Sequence, residues 1–140
     1  VKYLLDTNIC IRYLNRRIPS VIARFHATPE EEIVVCSVVR AELLSGALKS
    51  QDVARTLVRQ RAFIERFISL PFDDSAAEFY AHIRANLERG GTPIGSNDML
   101  IAAIAMANEL TVVTHNTREF GRIAGLKIDD WEAGGDPPIS

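Results

Sequence analysis

The sequence has 140 residues, 47% hydrophobic and 24% charged, with a formal net charge of −2 at pH 7. That length buries one core without staples, and the negative balance excludes bulk cationic attraction to nucleic acid, so any such contact has to come from a local patch. Cys10 and Cys36 lie in separate apolar stretches with no CxxC or Cys/His cluster, which sets aside zinc and disulfide scaffolds and predicts two buried thiols.

Taken in chain order, Tyr3-Leu4-Leu5 is a short apolar run that reads as a buried strand. Helical turns are predicted over Ile9–Leu14 and Ser20–Ala27, the second stopped by Thr28-Pro29. Ile33-Val34-Val35-Cys36 is the clearest strand, and Val38–Lys49 reads as a helix with Ser37 as its N-cap. A helix is predicted over Asp52–Ser69, with Val53, Leu57, Ile64 and Ile68 on one face. Another spans Ser75–Arg89, with Ala76, Tyr80, Ile83 and Leu87 inward, and Leu70-Pro71-Phe72 between them makes at most a stub of strand. After the break at Gly90-Gly91-Thr92-Pro93, Ser96 caps a helix over Asp98–Asn108 that is apolar on nearly every side and therefore central. A strand at Leu110–Thr114, a short helix at Thr117–Arg122 and a strand at Leu126–Ile128 complete the pattern. Residues 1–132 form one domain, and 133–140, with Gly134-Gly135-Asp136-Pro137-Pro138, form a loose tail.

Strands alternating with helices predict an α/β protein, a mostly parallel sheet of four to five strands covered on both faces. No apolar run reaches the ~18 residues of a membrane span. The first residues lack the basic-then-apolar layout of a secretion signal, so a cytoplasmic chain is expected.

In right-handed βαβ units every strand delivers its C-terminal end to one edge of the sheet, and each following helix starts there. Asp6 closes the first strand, Glu42 lies about one and a half turns into the helix after Ile33–Cys36, and Thr114 and Asn116 follow a late strand. Asp98 opens a helix that leads back into a strand, so it too starts at that rim. Three gathered carboxylates repel one another and call for a cation, and oxygen donors without His or Cys select Mg²⁺ or Mn²⁺.

Each residue also has a local reading. Asp6-Thr7-Asn8 fits an Asx turn or N-cap, Glu42 a solvated helix charge, Asp98 a partner of the helix dipole, and Asn116 with Glu119 a capping box. Only their joint placement separates the two sets. Arg40, Arg118, His115 and Arg12 are the nearest groups for a phosphate, unless they pair with local acids.

The segments Y-L-L-D-T-N at 3–8, V-V-R-A-E-L-L-S-G around Glu42, P-I-G-S-N-D-M-L-I-A-A at 93–103, T-V-V-T-H-N-T-R-E-F at 111–120 and G-L-K-I-D-D-W at 125–131 together resemble the PIN-domain nucleases, specifically VapC-type ribonuclease toxins. The resemblance implies a three-layer α/β/α sandwich, usually homodimeric, inhibited by a cognate antitoxin. It implies Mg²⁺ or Mn²⁺ at Asp6, Asp98 and Glu42, with Thr114 ordering the site and Asn116 standing where the family often has a fourth acid. The implied reaction is hydrolysis of an RNA phosphodiester by in-line attack of water, leaving 5′-phosphate and 3′-hydroxyl ends. Other classes remain: a receiver-type signalling domain with an acidic Mg²⁺ site, an aspartyl-phosphate phosphatase, which would want Asp where Asn8 stands, and a catalytically weak RNA- or protein-binding module.

Overall fold

The computed structural model describes residues 1–133. Five strands, β1 (Tyr3–Leu5), β2 (Ile33–Cys36), β3 (Ile68–Leu70), β4 (Thr111–Val113) and β5 (Lys127–Asp129), form one sheet in the order β3-β2-β1-β4-β5. Every pairing is parallel, with Tyr3 opposite both Ile33 and Thr111, and Leu5 opposite Val113. All residues of β1 and β2 are buried. Side chains alternate between the faces of a strand, so both faces are covered and the architecture is the expected α/β/α sandwich. Strand order also removes the receiver reading, whose doubly wound sheet runs 2-1-3-4-5.

The helices are α1 (Thr7–Asn15), α2 (Pro19–Ala27), α3 (Ser37–Leu48), α4 (Val53–Ile64), α5 (Asp74–Arg89), α6 (Ser96–Ala107) and α7 (Thr117–Phe120). Ile101 to Ala105 are all buried, which makes α6 central as its all-round apolarity predicted. Of the inward residues expected on α5, Ala76, Ile83 and Leu87 are buried and Tyr80 is partly so. Cys10 and Cys36 are buried free thiols.

Several expectations need correction. The helix predicted to reach Ser69 ends at Ile64, and its buried face is Gln60, Phe63 and Ile64 rather than Val53, Leu57 and Ile68. Ile68 instead pairs with Val34 on the sheet edge, 64% exposed. Pairing with β2 overrides a helical spacing that three residues cannot distinguish from a strand. Accordingly the strand stub falls at 68–70, not 70–72. Ser37 and Ser96 are first helical residues, not caps; Cys36 and Gly95 hold the cap positions without a side-chain bond, because β2 runs into α3 with no loop. The tail expected over 133–140 lies, apart from Ala133, outside the described residues. Among those residues no helix is long and apolar enough to cross a membrane.

Candidate active site

Between β1 and β4 the chain's crossovers leave in opposite directions, which opens a crevice at the carboxyl ends of the strands. Asp6 and Thr114 are the first residues beyond those ends. The Asp6 N–H donates to Val113 O at 3.1 Å and the Thr114 N–H to Asp129 O at 3.0 Å, so sheet pairing fixes both backbones.

Asp6 is the N-cap of α1: its Oδ1 accepts from the Ile9 N–H at 2.9 Å. The local reading is therefore correct, and it does not exhaust the residue. An ordinary N-cap aspartate sits in water, whereas Asp6 is 4% exposed. Burial pushes its carboxyl up to about 6, against the hydrogen bonds from Thr114 and Ile9, and Asp98 and Glu132 push in the same direction as burial. Thr114 is fully buried, and its Oγ1 also accepts from the Asn116 N–H at 2.9 Å. Its hydroxyl thus stands between Asp6, whose carboxyl it lowers, and the start of the loop after β4.

Glu42 and Asp98 come to the rim on helices. Glu42, half-buried on α3, accepts a 2.6 Å bond on Oε1 from the Thr7 hydroxyl, which tethers α3 to the first turn of α1. Asp98 is half-buried in the first turn of α6. Its carboxyl is raised by burial first, then by Glu119 and Glu42. Asp6 therefore feels Asp98, and Asp98 feels Glu42: the three predicted acids share one electrostatic neighbourhood.

Two further acids belong to it that sequence reasoning did not assign. Glu119 is the largest charged neighbour of Asp98, and Glu132 acts on Asp6. Asn116 donates its amide to Glu119 Oε2 at 2.8 Å. This is not the capping box expected of the pair, since Asn116 makes no side-chain cap bond and its N–H goes to Thr114. Asn116 instead holds Glu119 toward the rim. A signal was present in the sequence, an acid three residues after Asn116, but the local role concealed it.

The basic candidates divide. Arg12 leans on Glu132 at 3.7 Å, at the edge of the acidic group. His115 Nδ1 lies 3.1 Å from Asp130, so it pairs with a local acid. Arg40 is half-buried and Arg118 exposed, and neither makes an ion pair among the described residues. The last predicted segment is structural: Asp129 accepts from Arg24 at 2.7 Å and from the indole of buried Trp131 at 3.2 Å.

Chemically, the rim offers Asp6, Glu42, Asp98, Glu119 and Glu132, all hard oxygen donors, around a buried carboxyl whose ionised form lacks compensation. That donor set fits Mg²⁺ or Mn²⁺. Among the described residues, however, no three His, Cys, Asp or Glu side chains stand close enough together to hold a metal ion between them. An open cleft of about 650 Å³ runs from Glu42 along α3 and α6.

A PIN-domain family model matches residues 3–126. The tRNA(fMet)-specific endonuclease VapC of Shigella flexneri is 41% identical over 131 residues, which cover 94% of this chain and 98% of that protein. Ribonuclease VapC2 of Rickettsia felis is 34% identical, with 93% and 98% covered. Among solved structures, a chain of the DNA-bound VapBC complex from Salmonella typhimurium superposes with a TM-score of 0.88 at 40% identity, covering 94% of this chain and 98% of that one.

Proposed function

The chain belongs to the PIN-domain family, and on that premise we propose that it is an endoribonuclease toxin, restrained by a cognate antitoxin, that hydrolyses RNA phosphodiesters at the rim of Asp6, Glu42 and Asp98. The observation that carries this reading is the convergence of those acids, distant in sequence, at the crevice beside β1 and β4. Relatives named for tRNA(fMet) make tRNA the substrate class to try first. Similarity to a chain of a VapBC complex supports the antitoxin partner. We also read the chain as a homodimer, for which exposed Leu48 on α3 is one available apolar contact.

Asp6 and Asp98 would hold Mg²⁺ or Mn²⁺, with Glu42 beside them, and the bound ion would supply Lewis-acid polarisation of the phosphodiester and a lowered water pKa. The protein's own part is positioning. Asp6 accepts the Ile9 N–H on Oδ1, so one carboxylate oxygen is committed and the other is left for the rim. Glu42 has Oε1 engaged by Thr7, and its other oxygen would accept a proton from the attacking water. Attack opposite the 3′ oxygen forms a new P–O bond and breaks the P–O3′ bond, and the departing O3′ takes a proton from solvent water, giving 5′-phosphate and 3′-hydroxyl ends. Neither hydroxyl at the rim is a nucleophile in this scheme: Thr7 donates to Glu42, and Thr114 is buried on Asp6. A catalytically weak module would be favoured by Asn116 in place of an acid, but Glu119, held by Asn116, returns a negative charge beside Asp98.

The deciding experiment incubates the purified chain and Asp98→Asn with a tRNA pool and Mg²⁺, Mn²⁺ or EDTA. EDTA is expected to abolish cutting, and the substitution to reduce kcat by about 100-fold or more, the scale of losing one major electrostatic group. Equal cutting by both proteins without metal would overturn the reading.

A further inference from the structure

Gly46 stands inside α3, where glycine lowers helix stability relative to alanine. Two internal causes commonly require a glycine, a positive φ and a crowding neighbour. Neither operates here: Gly46 is not among the positive-φ glycines, and a Cβ built on it meets nothing within 4 Å. The fold itself has no use for the missing side chain. Gly46 is exposed and lines the cleft between α3 and α6, together with Ser45, Lys49, Ser37 and Asn97.

We propose that this cleft seats the nucleotide next to the scissile phosphate, with Gly46 letting it lie against the α3 backbone and Lys49 holding its outer phosphate. The inference rests on the nuclease reading above and adds a substrate subsite to it. Glu42, Gly46 and Lys49 follow one another at helical spacing along the same wall. Seven residues of helix place Lys49 roughly 10 Å beyond Glu42 along the axis. A phosphodiester strand running outward from the acidic rim therefore meets a cation after its reacting phosphate. Lys49 makes no ion pair among the described residues, so its charge is available. Ser37, Ser45 and Asn97 offer the donors and acceptors that read single-stranded base edges. At about 650 Å³ the cleft has the size of a small-molecule site. A seam between two copies of the chain would also lie against a bare helix, but it would want a continuous apolar wall. This one is mixed, with an acid at one end and a lysine at the other.

The test uses the full chain with Gly46→Leu, Gly46→Ala, Lys49→Ala and, as a control, Lys127→Ala on the opposite end of the sheet. Helix propensity predicts that Gly46→Ala melts a few degrees higher than wild type, and circular dichroism verifies that Gly46→Leu is folded. Gly46→Leu should raise KM for a short RNA about 10-fold or more while kcat stays within about threefold. Lys49→Ala should weaken RNA binding, read by fluorescence anisotropy in EDTA. It should also flatten the slope of log affinity against log salt by about 0.7, the loss of one single-strand phosphate contact. Lys127→Ala should change neither. If Gly46→Leu binds and cuts RNA as wild type does, the subsite is wrong and the nuclease reading stands. If the wild type cuts nothing but binds RNA in EDTA in a manner Gly46→Leu impairs, the nuclease reading falls and the subsite survives. A shift in oligomeric state by light scattering, with unchanged RNA affinity, would identify the cleft as a contact between copies and overturn the proposal.

Discussion

Asp6→Asn should make the metal-free protein more stable at neutral pH. The Asp6 carboxyl, ordinarily at 3.8, is pushed up to about 6 by burial, with Asp98 and Glu132 adding to the push. Below 3.8 both folded and unfolded chains hold the proton, and there is no penalty. Between 3.8 and about 6 the unfolded chain ionises while the folded one keeps its proton, so stability falls as pH rises; above about 6 the loss is complete. Roughly two pKa units at 1.36 kcal/mol each give about 3 kcal/mol, or a Tm change of about 10 °C for a chain of this size. Asparagine keeps the N-cap acceptor for the Ile9 N–H, and so the substitution removes charge without uncapping α1. Thermal melts in EDTA from pH 4 to 8 should show wild-type Tm dropping through the acid window and the variant dropping less, the remainder coming from Asp98, whose carboxyl is also raised. Added Mg²⁺ or Mn²⁺ should raise the wild-type Tm at pH 7.5 and leave the variant unmoved, because an ion that binds only the folded state stabilises it by mass action. A variant less stable than wild type at pH 7.5 in EDTA would refute the claim that Asp6 is held ionised at a cost.

Thr7→Val removes the 2.6 Å bond to Glu42 Oε1 while keeping the side chain's shape. It should lower kcat about 10-fold with less than about 1.5 kcal/mol of stability lost, since one net hydrogen bond is worth no more; steady-state kinetics beside denaturant melts check both. Gln60 is buried on α4 with its Oε1 lacking any partner. Gln60→Leu should therefore raise stability by about 1 kcal/mol, with RNA cleavage per folded molecule unaltered; urea melts that show a loss would mean the amide finds a partner in solution.

How much of this was legible depended on whether a residue's role was periodic or relational. α6 was read correctly because a helix apolar on every side has only the interior to occupy, and its buried run from Ile101 to Ala105 agrees. Asp6, Glu42, Asp98 and Thr114 were placed at one rim by chain connectivity alone, since parallel crossovers leave no other edge for them. β3 was expected two residues too late because its three residues carry no period, and only Val34, Val35 and Cys36 across the ladder define it. Thr7, Glu119 and Glu132 were missed for the same reason on the side-chain scale. Thr7 matters through Glu42, 35 residues away, and Glu119 through Asp98. Neither relation leaves a mark in local sequence, and where one did, at Asn116 and Glu119, helix capping explained it first.

The acids differ in mobility in a way that follows from the elements that bear them. Asp6 and Thr114 are buried, at the ends of central strands whose backbones are held by β4 and β5. Glu42 and Asp98 sit half-buried on helices and reach the rim through side-chain torsions. A strand end cannot move without breaking sheet pairing, whereas a half-exposed carboxylate can turn at little cost. The fixed pair sets where a positive charge is wanted; Asp98 can turn toward it, while Glu42 is already held on one oxygen by the Thr7 hydroxyl. Among the described residues no three acids stand close enough to hold an ion between them, yet burial of the Asp6 carboxyl already creates an electrostatic need for a cation. The division between strand ends and helices locates the sensitivity of the site: substitutions at Asp6 and Thr114 change the frame, while those at Glu42, Thr7 and Glu119 change how the remaining oxygens are presented to it.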